Sequence, residues 1–296
     1  MAAFIMAGPL QALCFVALFA LLGLFLPIIG LLSSAAISLI TLRLGWQQGL
    51  RTALPASLVL IVLSFLLLNN PLPALLPTLG QWLLALLLAS VLQHSSSWRQ
   101  ALSVVFAITV TGILLFYLVV SDVEAFWKAL MQPLAELSIM QQQFPDLDLS
   151  KAIDSAAKLA TGMAAALFSL GLTLSLMIGR HWQAVLYNPG GFGQEIRELR
   201  LSRAMGLSMI VLITAALLTG TPLLIDMVFA GLAVFLFQGI ALTHGIHQQR
   251  QMHHGWLIGF YVLLALMPMR FGLLLATFGI IDSIADFRRY LAKPRA

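Results

Sequence analysis

The chain alternates between long apolar runs and short polar turns. Because a transmembrane helix needs about 20 predominantly apolar residues, the runs predict spans at residues 2–26, 30–44, 53–68, 72–92, 101–120, 159–178, 204–218 and 223–243. A further region, 256–290, contains Pro268 and Arg270 and is predicted to form either one long tilted span with a charged tail or two short spans. The pattern predicts an all-α fold, a polytopic transmembrane helix bundle of about 8–10 spans in a single integral membrane domain, residues 1–296.

The composition supports a membrane protein. Hydrophobic residues make up 60% of the 296 positions and charged residues 9%, against about half and a quarter in typical soluble domains. The net charge of +5 lies in short turns, so it reflects membrane topology rather than nucleic-acid binding. Cys14 is the only cysteine, which excludes an intramolecular disulfide. The N-terminal run lacks a basic leading region, so we expect it to remain as a spanning helix.

The distribution of Lys and Arg predicts the orientation, because cytoplasmic turns carry an excess of both. With a cytoplasmic N-terminus and two spans in 256–290, 12 of the 16 basic residues lie inside, and Lys128, Lys151, Lys158 and Arg270 lie outside. With one span there, 8 lie inside and 7 outside, and Arg270 lies in lipid. We therefore predict ten crossings of a bacterial inner membrane with both termini cytoplasmic, with a re-entrant or strongly tilted final hairpin as the alternative.

Residues 122–156 are predicted to form an extracytoplasmic amphipathic segment. Its first half has apolar residues at spacings of three and four, which indicates one apolar stripe on a helix that Pro133 kinks: Val123, Phe126, Trp127, Leu130, Met131, Leu134, Leu137 and Met140. The helix is either a lid over an outward-facing cavity or a passive surface helix. Asp146, Asp148 and Ser150 resemble the start of a calcium loop, but Lys151 and Ala157 occupy its obligatory Gly and Glu positions, so no calcium site is expected.

Small residues recur every four positions in the sixth span, at Ala157, Thr161, Ala165, Ser169 and Thr173. Such a face lets helix backbones approach closely in a membrane, so we expect it in the bundle interior. A similar but weaker pattern occurs in the first span.

Ionisable residues within membrane segments usually face a cavity or a partner. Asp226, Asp282 and Gln238 are therefore the candidate substrate-binding residues, with helix capping as the alternative role of Asp226. Asp282 and Asp286 share a helix face, and we expect Asp286 to form a structural ion pair with Arg289 or Arg288.

Other chemistry finds little support in the sequence. His244, His247, His253 and His254 lie close together, but no carboxylate or thiolate accompanies them, so no metal site is expected. The catalytic motifs of hydrolases and metalloenzymes are absent from the sequence, as are phosphate-binding and dinucleotide motifs. We therefore predict neither an enzyme nor a bound cofactor.

Residues 187–203, here called the basic loop, are predicted to be cytoplasmic. They contain NPGGFGQEIRELRLSR, a short amphipathic helix with Arg197, Arg200 and Arg203. These three residues are candidates for docking, either to anionic lipid headgroups or to a cytoplasmic protein partner.

Four stretches carry a resemblance to a known family: LRLGWQQGLR, PGGFGQEIRELRLSR, FQGIALTHGIHQQR and GIIDSIADFRRYL. Together they resemble the YybS-like family of bacterial membrane proteins, although that family often has an aromatic residue at the place of Ile284 and Ala285. The family is remotely similar to the S components of energy-coupling-factor vitamin transporters. This likeness implies a small-molecule cavity near the outer face and a cytoplasmic docking surface, but S components have fewer spans than the ten predicted here.

The sequence thus predicts an integral membrane protein whose partners are the lipid bilayer, a small-molecule ligand and a membrane or cytoplasmic protein. We expect a small-molecule-binding or transport component. The alternative is a non-transporting scaffold or assembly factor that binds other membrane proteins through the small-residue face.

Overall fold

A computed structural model describes residues 1–69, 72–135, 148–253 and 255–288. These residues form helices and no strands, which confirms the all-α prediction. In chain order the helices are α1 (Ala2–Met6), α2 (Pro9–Gly23), α3 (Pro27–Leu44), α4 (Trp46–Leu68), α5 (Leu72–Ser95), α6 (Trp98–Val119), α7 (Val123–Ala135), α8 (Leu149–Tyr187), α9 (Gly191–Glu198), α10 (Arg203–Thr219), α11 (Pro222–Gln249), α12 (Gly255–Leu266) and α13 (Pro268–Ala285).

Polar residues at the ends of the apolar runs set the helix boundaries. Ser97, Asp148 and Ser202 accept hydrogen bonds from the backbone N–H groups three residues later and so cap α6, α8 and α10. Proline begins α2, α3, α11 and α13, where its missing N–H costs nothing. Gly220 ends α10 with a positive φ of 63°, a conformation that glycine adopts without strain.

Helix length separates full spans from shorter insertions. Among the described residues, seven helices are long and apolar enough to cross a membrane (α3, α4, α5, α6, α8, α11 and α13), and an eighth results if α9 and α10, which meet at 54°, count as one span. The shorter apolar helices α2 and α12 have 15 and 12 residues. At 1.5 Å per residue they reach only about 22 and 18 Å, against a hydrocarbon layer of about 30 Å.

The prediction of ten crossings counts both of these short helices as parts of full spans. The first predicted span, 2–26, is interrupted before Pro9 and divides into α1 and α2. The region 256–290 forms two helices, which separate at Met267. Helix α13 is long and apolar enough to cross, whereas α12 is too short to cross alone, so the ten crossings stay a prediction, with the re-entrant or tilted hairpin as its alternative.

The bundle has two chemically different ends. At one end, here called the basic end, Arg180 of α8 and Arg99 of α6 contact the basic loop. At the other, here called the acidic end, the described residues at and just before the starts of α7 and α8 include four acidic ones, Asp122, Glu124, Asp148 and Asp154. Helix α8 has 39 residues, about 58 Å of helix, and therefore extends from one end of the bundle well beyond the thickness of the hydrocarbon layer.

Close packing within the bundle depends on small residues. A Cβ atom on Gly239 of α11 would overlap the carbonyl oxygen of Leu275 on α13, and one on Gly279 of α13 would overlap that of Phe235. The small-residue face of α8 lies inside the bundle as predicted. Ser169 on that face is fully buried and shares a hydrogen bond of 2.9 Å with Thr109 of α6.

Helix α7 is the described part of the predicted amphipathic segment. Trp127 donates a hydrogen bond of 2.8 Å from Nε1 to Oγ1 of Thr161 on α8, while Leu130 remains exposed. Lys128 pairs with Glu124 at 2.8 Å and with Asp154 of α8 at 2.9 Å, and these carboxylates raise the pKa of the Lys128 ammonium. The predicted stripe positions Leu137 and Met140 lie outside the described residues, as do Glu136 and Asp146.

Candidate functional site

The acidic end contains a buried carboxyl group. Asp226, near the start of α11, is 1% exposed, and its Oδ2 accepts a hydrogen bond of 2.6 Å from the hydroxyl of Tyr117 on α6. Its Oδ1 lies against Gly162 of α8 and has no hydrogen-bond partner among the described residues. The cap position of α11 belongs to Thr221, so Asp226 does not serve as the helix cap that the sequence allowed as an alternative.

Gly162 makes room for this carboxyl group. A Cβ atom at position 162 would lie 2.7 Å from Oδ1 of Asp226 and 2.8 Å from the ring of Phe229. Any larger residue would therefore push α8 away from α11. Burying a polar atom without a partner costs about 1–3 kcal/mol, so the half-satisfied carboxyl group of Asp226 marks a position where the bundle retains an unfavourable interaction.

A pocket of about 320 Å³ lies next to the Tyr117–Asp226 pair. It is formed by the end of α6, the start of α7, one turn of α8 and the start of α11, and its lining residues are Tyr117, Val120, Ser121, Asp122, Val123, Glu124, Ala157, Lys158 and Pro222. We call it the outer pocket. Its volume lies at the lower limit of the range of about 300–1,000 Å³ that is typical of small-molecule sites.

The charged residues that line the outer pocket differ in whether they have a hydrogen-bond or ion-pair partner. Asp122 accepts a hydrogen bond from the N–H of Ala125 at the start of α7, and Glu124 pairs with Lys128. Lys158 is exposed and has no ion pair with any described residue. In the described part of the chain, Lys158 thus has no ionic partner, and neither have the carboxyl groups of Asp122, which is bound by a backbone N–H, and of the buried Asp226.

An apolar groove runs along α6 and α8 towards the middle of the bundle. It also has a volume of about 320 Å³ and is lined by Ile108, Thr109, Gly112, Ile113, Phe116, Trp127, Thr161, Ala164, Ala165 and Phe168. A Cβ atom on Gly112 would meet nothing within 4 Å, so this part of the groove is open space. Trp127 of α7, which is hydrogen-bonded to Thr161, lines the end of the groove nearest the outer pocket.

The other two candidate substrate-binding residues lie together at the basic end. Gln238 of α11 and Asp282 of α13 are both fully buried, and Nε2 of Gln238 donates a hydrogen bond of 3.1 Å to Oδ2 of Asp282. Oε1 of Gln238 accepts a hydrogen bond of 2.9 Å from the N–H of Leu201 in the basic loop. Both residues therefore contact protein groups that fix the position of this loop.

Arg288 completes the same network. Its guanidinium donates hydrogen bonds to the carbonyl oxygens of Arg197 at 2.5 Å and Leu199 at 2.9 Å, and it lies 3.8 Å from Oδ2 of Asp282. Burial lowers the pKa of Arg288, and the charge of Asp282 acts in the opposite direction. The loop backbone, which leaves helical geometry between α9 and α10, thus receives its hydrogen bonds from side chains.

The three arginines of the basic loop differ in their ion pairs and in their exposure. Arg200 forms an ion pair of 2.5 Å with Asp286 and donates to the carbonyl oxygen of Ser283. Arg197 is half-buried and Arg203 exposed, and neither forms an ion pair with the described residues. Arg289, the predicted partner of Asp286, lies outside the described residues. Of the predicted docking residues, Arg197 and Arg203 are the ones with uncommitted side-chain charge.

A second ion pair fixes α9 to the bundle. Arg180 of α8 binds both carboxylate oxygens of Glu195 on α9, with its Nε 3.1 Å from Oε2, and Nε1 of Trp98 donates to the same oxygen at 3.0 Å. Because the guanidinium and carboxylate meet in the two-point geometry and are half-buried, this pair is stronger than a typical surface ion pair.

The histidines do not assemble a metal centre in the part of the chain that the structure describes. His244 makes a hydrogen bond of 2.7 Å with the hydroxyl of Tyr261, and His254 lies outside the described residues.

Sequence reasoning missed Tyr117, Gly162, Arg180 and Glu195. Tyr117 lies near the end of an apolar run, where a tyrosine is also typical of the membrane interface, and only its distance to Asp226 reveals another role. Arg180 lies seven residues before the end of α8, and the next charged residue in the sequence is Glu195. These opposite charges on the two sides of one turn could have indicated the ion pair.

Comparison of the chain with protein-family models, with curated proteins and with solved structures finds no match.

Proposed function

We propose that this multi-pass membrane protein binds a small molecule in the outer pocket, as a binding or transport component. The observation that carries the proposal is the buried Asp226, hydrogen-bonded to a tyrosine that lines a pocket of about 320 Å³. Ionisable groups inside a membrane bundle are costly and mark substrate or ion sites. Asp282 and Gln238 are engaged with the basic loop, which leaves Asp226 as the strongest of the three candidate residues.

The pocket suits a molecule with polar groups and an apolar part. Tyr117, Asp122 and Lys158 supply hydrogen-bonding and charged groups, whereas Val120 and Pro222 supply apolar wall. The neighbouring apolar groove extends the apolar surface along α6 and α8. We take α7 as the lid of this region, because Trp127 lines the groove and Val123 lines the pocket.

The proposed orientation places the outer pocket outside a bacterial inner membrane. The basic end holds most of the Arg residues, including Arg99, Arg180 and those of the basic loop, and positively charged ends are cytoplasmic in inner-membrane proteins. The resemblance to the YybS-like family, and through it to S components, agrees with an outward-facing small-molecule cavity and with Arg197 and Arg203 as contacts for a cytoplasmic partner.

A non-transporting scaffold remains the second candidate. Part of the small-residue face of α8 is engaged within the bundle, where Thr161 contacts Trp127 and Ser169 contacts Thr109. Ala165 of the same face lines the apolar groove, which is the part of this face through which a scaffold would bind a partner.

Native mass spectrometry of the protein extracted in mild detergent tests the proposal. We expect a copurified small molecule with the wild-type protein, and its loss in Ser121→Trp, which fills the pocket from the α6–α7 turn. Ser155→Trp, an exposed position on α8 outside the pocket lining, is the matched control and should retain the molecule. An adduct that survives Ser121→Trp, or a wild-type protein without any adduct, would contradict the proposal.

A further inference from the structure

The outer pocket has an unusual charge arrangement. The exposed ammonium of Lys158 lines it without an ionic partner among the described residues, and the buried carboxyl group of Asp226 lies behind Tyr117, also without one. The remaining charges near it are already balanced or engaged, since Lys128 joins Glu124 to Asp154 and Asp122 caps α7.

Helix geometry places these two charges close to each other. Asp226 contacts Gly162, which lies four residues after Lys158 and hence on the same face of α8, with about 5–6 Å between such positions. They do not form an ion pair with each other, because Asp226 lies behind Tyr117 whereas the Lys158 side chain is exposed at the pocket. A ligand with both charges would bridge this gap.

Tyr117 connects the buried acid to the pocket. Its hydroxyl uses its proton in the hydrogen bond to Asp226, so its oxygen keeps lone pairs that can accept a hydrogen bond from a ligand ammonium group. The aromatic rings of Phe126 and Trp127 on α7 pack beside Phe116 of α6, and Phe116 and Trp127 line the neighbouring apolar groove.

From these observations we infer that the ligand is a zwitterion of amino-acid size with an apolar substituent. Its ammonium group binds the hydroxyl oxygen of Tyr117, whose proton is held by Asp226, its anionic group binds Lys158, and its substituent packs against Val120, Val123 and Pro222. This inference rests on the proposed function, because it assigns a chemical class to the molecule that the outer pocket binds. The same paired charges occur in free amino acids and in the headgroup of phosphatidylethanolamine.

The experiment compares three probes of equal apolar part: leucine, which has both charges, isoamylamine, which has only the ammonium, and 4-methylvalerate, which has only the carboxylate. The protein is placed in nanodiscs of phosphatidylglycerol, which lacks an ammonium group, and its thermal unfolding is followed by tryptophan fluorescence. We expect leucine to raise the unfolding temperature and the two singly charged probes to leave it unchanged. Lys158→Gln should weaken leucine binding by at least tenfold, whereas Lys151→Gln, an exposed lysine of α8 outside the pocket, should not.

A second arm identifies the source of the zwitterion. If the natural ligand is a lipid headgroup, nanodiscs that contain phosphatidylethanolamine should stabilise the wild-type protein but not Lys158→Gln, with leucine inactive. Isoamylamine as effective as leucine, or no effect of either zwitterion, would overturn the inference. Its failure is distinguishable from that of the proposed function, because a native adduct that Ser121→Trp removes would remain as evidence for a ligand of another class.

Discussion

Nε2 of Gln238 donates a hydrogen bond to Oδ2 of Asp282 across 44 positions of sequence, between α11 and α13, in a region without solvent exposure. The other end of the same amide binds the N–H of Leu201. One side chain therefore joins two spans to the basic loop. A polar residue in this position stabilises the protein only while both of its partners are present.

Replacement of Gln238 by leucine should destabilise the protein. The change leaves the N–H of Leu201 and Oδ2 of Asp282 each with one hydrogen bond fewer, at a cost of about 1–3 kcal/mol for each buried unsatisfied group. Thermal unfolding in detergent should show a lower midpoint and faster proteolysis within the basic loop. Gln248→Leu, an exposed position on the same helix, is the control, and equal midpoints for the two variants would argue against the network.

Replacement of Gly239 by alanine should also destabilise the protein, because the new methyl group overlaps the backbone of Leu275. Overpacking of this kind costs about 1–3 kcal/mol. Gly259→Ala in α12 provides the opposite case, since nothing lies within 4 Å of its Cβ position and alanine is preferred to glycine in helices by about 1 kcal/mol. We expect the two unfolding midpoints to move in opposite directions, and a shift of both in the same direction would refute the close approach.

The Arg180–Glu195 pair should show strong coupling in a double-mutant cycle. Either single change, Arg180→Gln or Glu195→Gln, leaves a half-buried charge without its partner, whereas the double variant leaves none. The double variant should therefore be more stable than the sum of the single changes predicts, with an interaction energy above the value of about 0–1 kcal/mol for exposed pairs. Additive effects on the unfolding free energy would place this pair among the weak surface contacts.

The cap of α8 should depend on pH. The Ser150 hydroxyl, followed by Lys151, lowers the pKa of the Asp148 carboxyl group, so its contribution to stability is fully present above the ordinary aspartate value of about 3.9 and is lost as the pH falls through the lower folded value. The difference in unfolding midpoint between the wild-type protein and Asp148→Ala should be constant from neutral pH to about pH 5 and shrink under stronger acid. A difference that grows in acid would reverse the sign and exclude this cause.

Labelling with a membrane-impermeant maleimide tests the orientation. On a Cys14→Ser background, Lys151→Cys should react in intact bacterial cells and Gln248→Cys only after permeabilisation, because the two positions lie at opposite ends of the bundle and the basic end is proposed to be cytoplasmic. The inverse pattern would place the outer pocket in the cytoplasm.

Much of the fold could be predicted from apolar runs alone, because each spanning helix must satisfy its own backbone within a stretch of defined length. The apolar stripe of α7 and the small-residue face of α8 could also be recognised from the sequence, since both follow helical periodicity. The run at 2–26 misled because Pro9 lacks an N–H group and interrupts the helix there. The run that forms α12 is also apolar throughout, but it has only 12 residues, which is too few to cross the hydrocarbon layer alone.

The candidate site could be predicted only in part. Asp226 was recognisable as an acid among apolar residues, but its partner Tyr117 lies 109 positions away. Helices that are apolar on all sides give little indication of which faces meet, so sequence could not pair α6 with α11. For the same reason Asp282 and Gln238 were predicted as ligand contacts, although the structure places them against the basic loop.

Helix α8 has no proline between Leu149 and Tyr187. It contacts Asp226 behind the outer pocket and also carries Arg180, which pairs with Glu195 of the basic loop. Gly162 and Arg180 are separated by 18 residues, about 27 Å along one continuous rod. A rod of this kind transmits rotation and axial displacement with little loss, so a ligand that shifts the helix at Gly162 also moves the guanidinium that holds Glu195. Binding of a ligand in the outer pocket would then displace the basic loop at the opposite end of the bundle through α8 itself, without any change in the connecting turns.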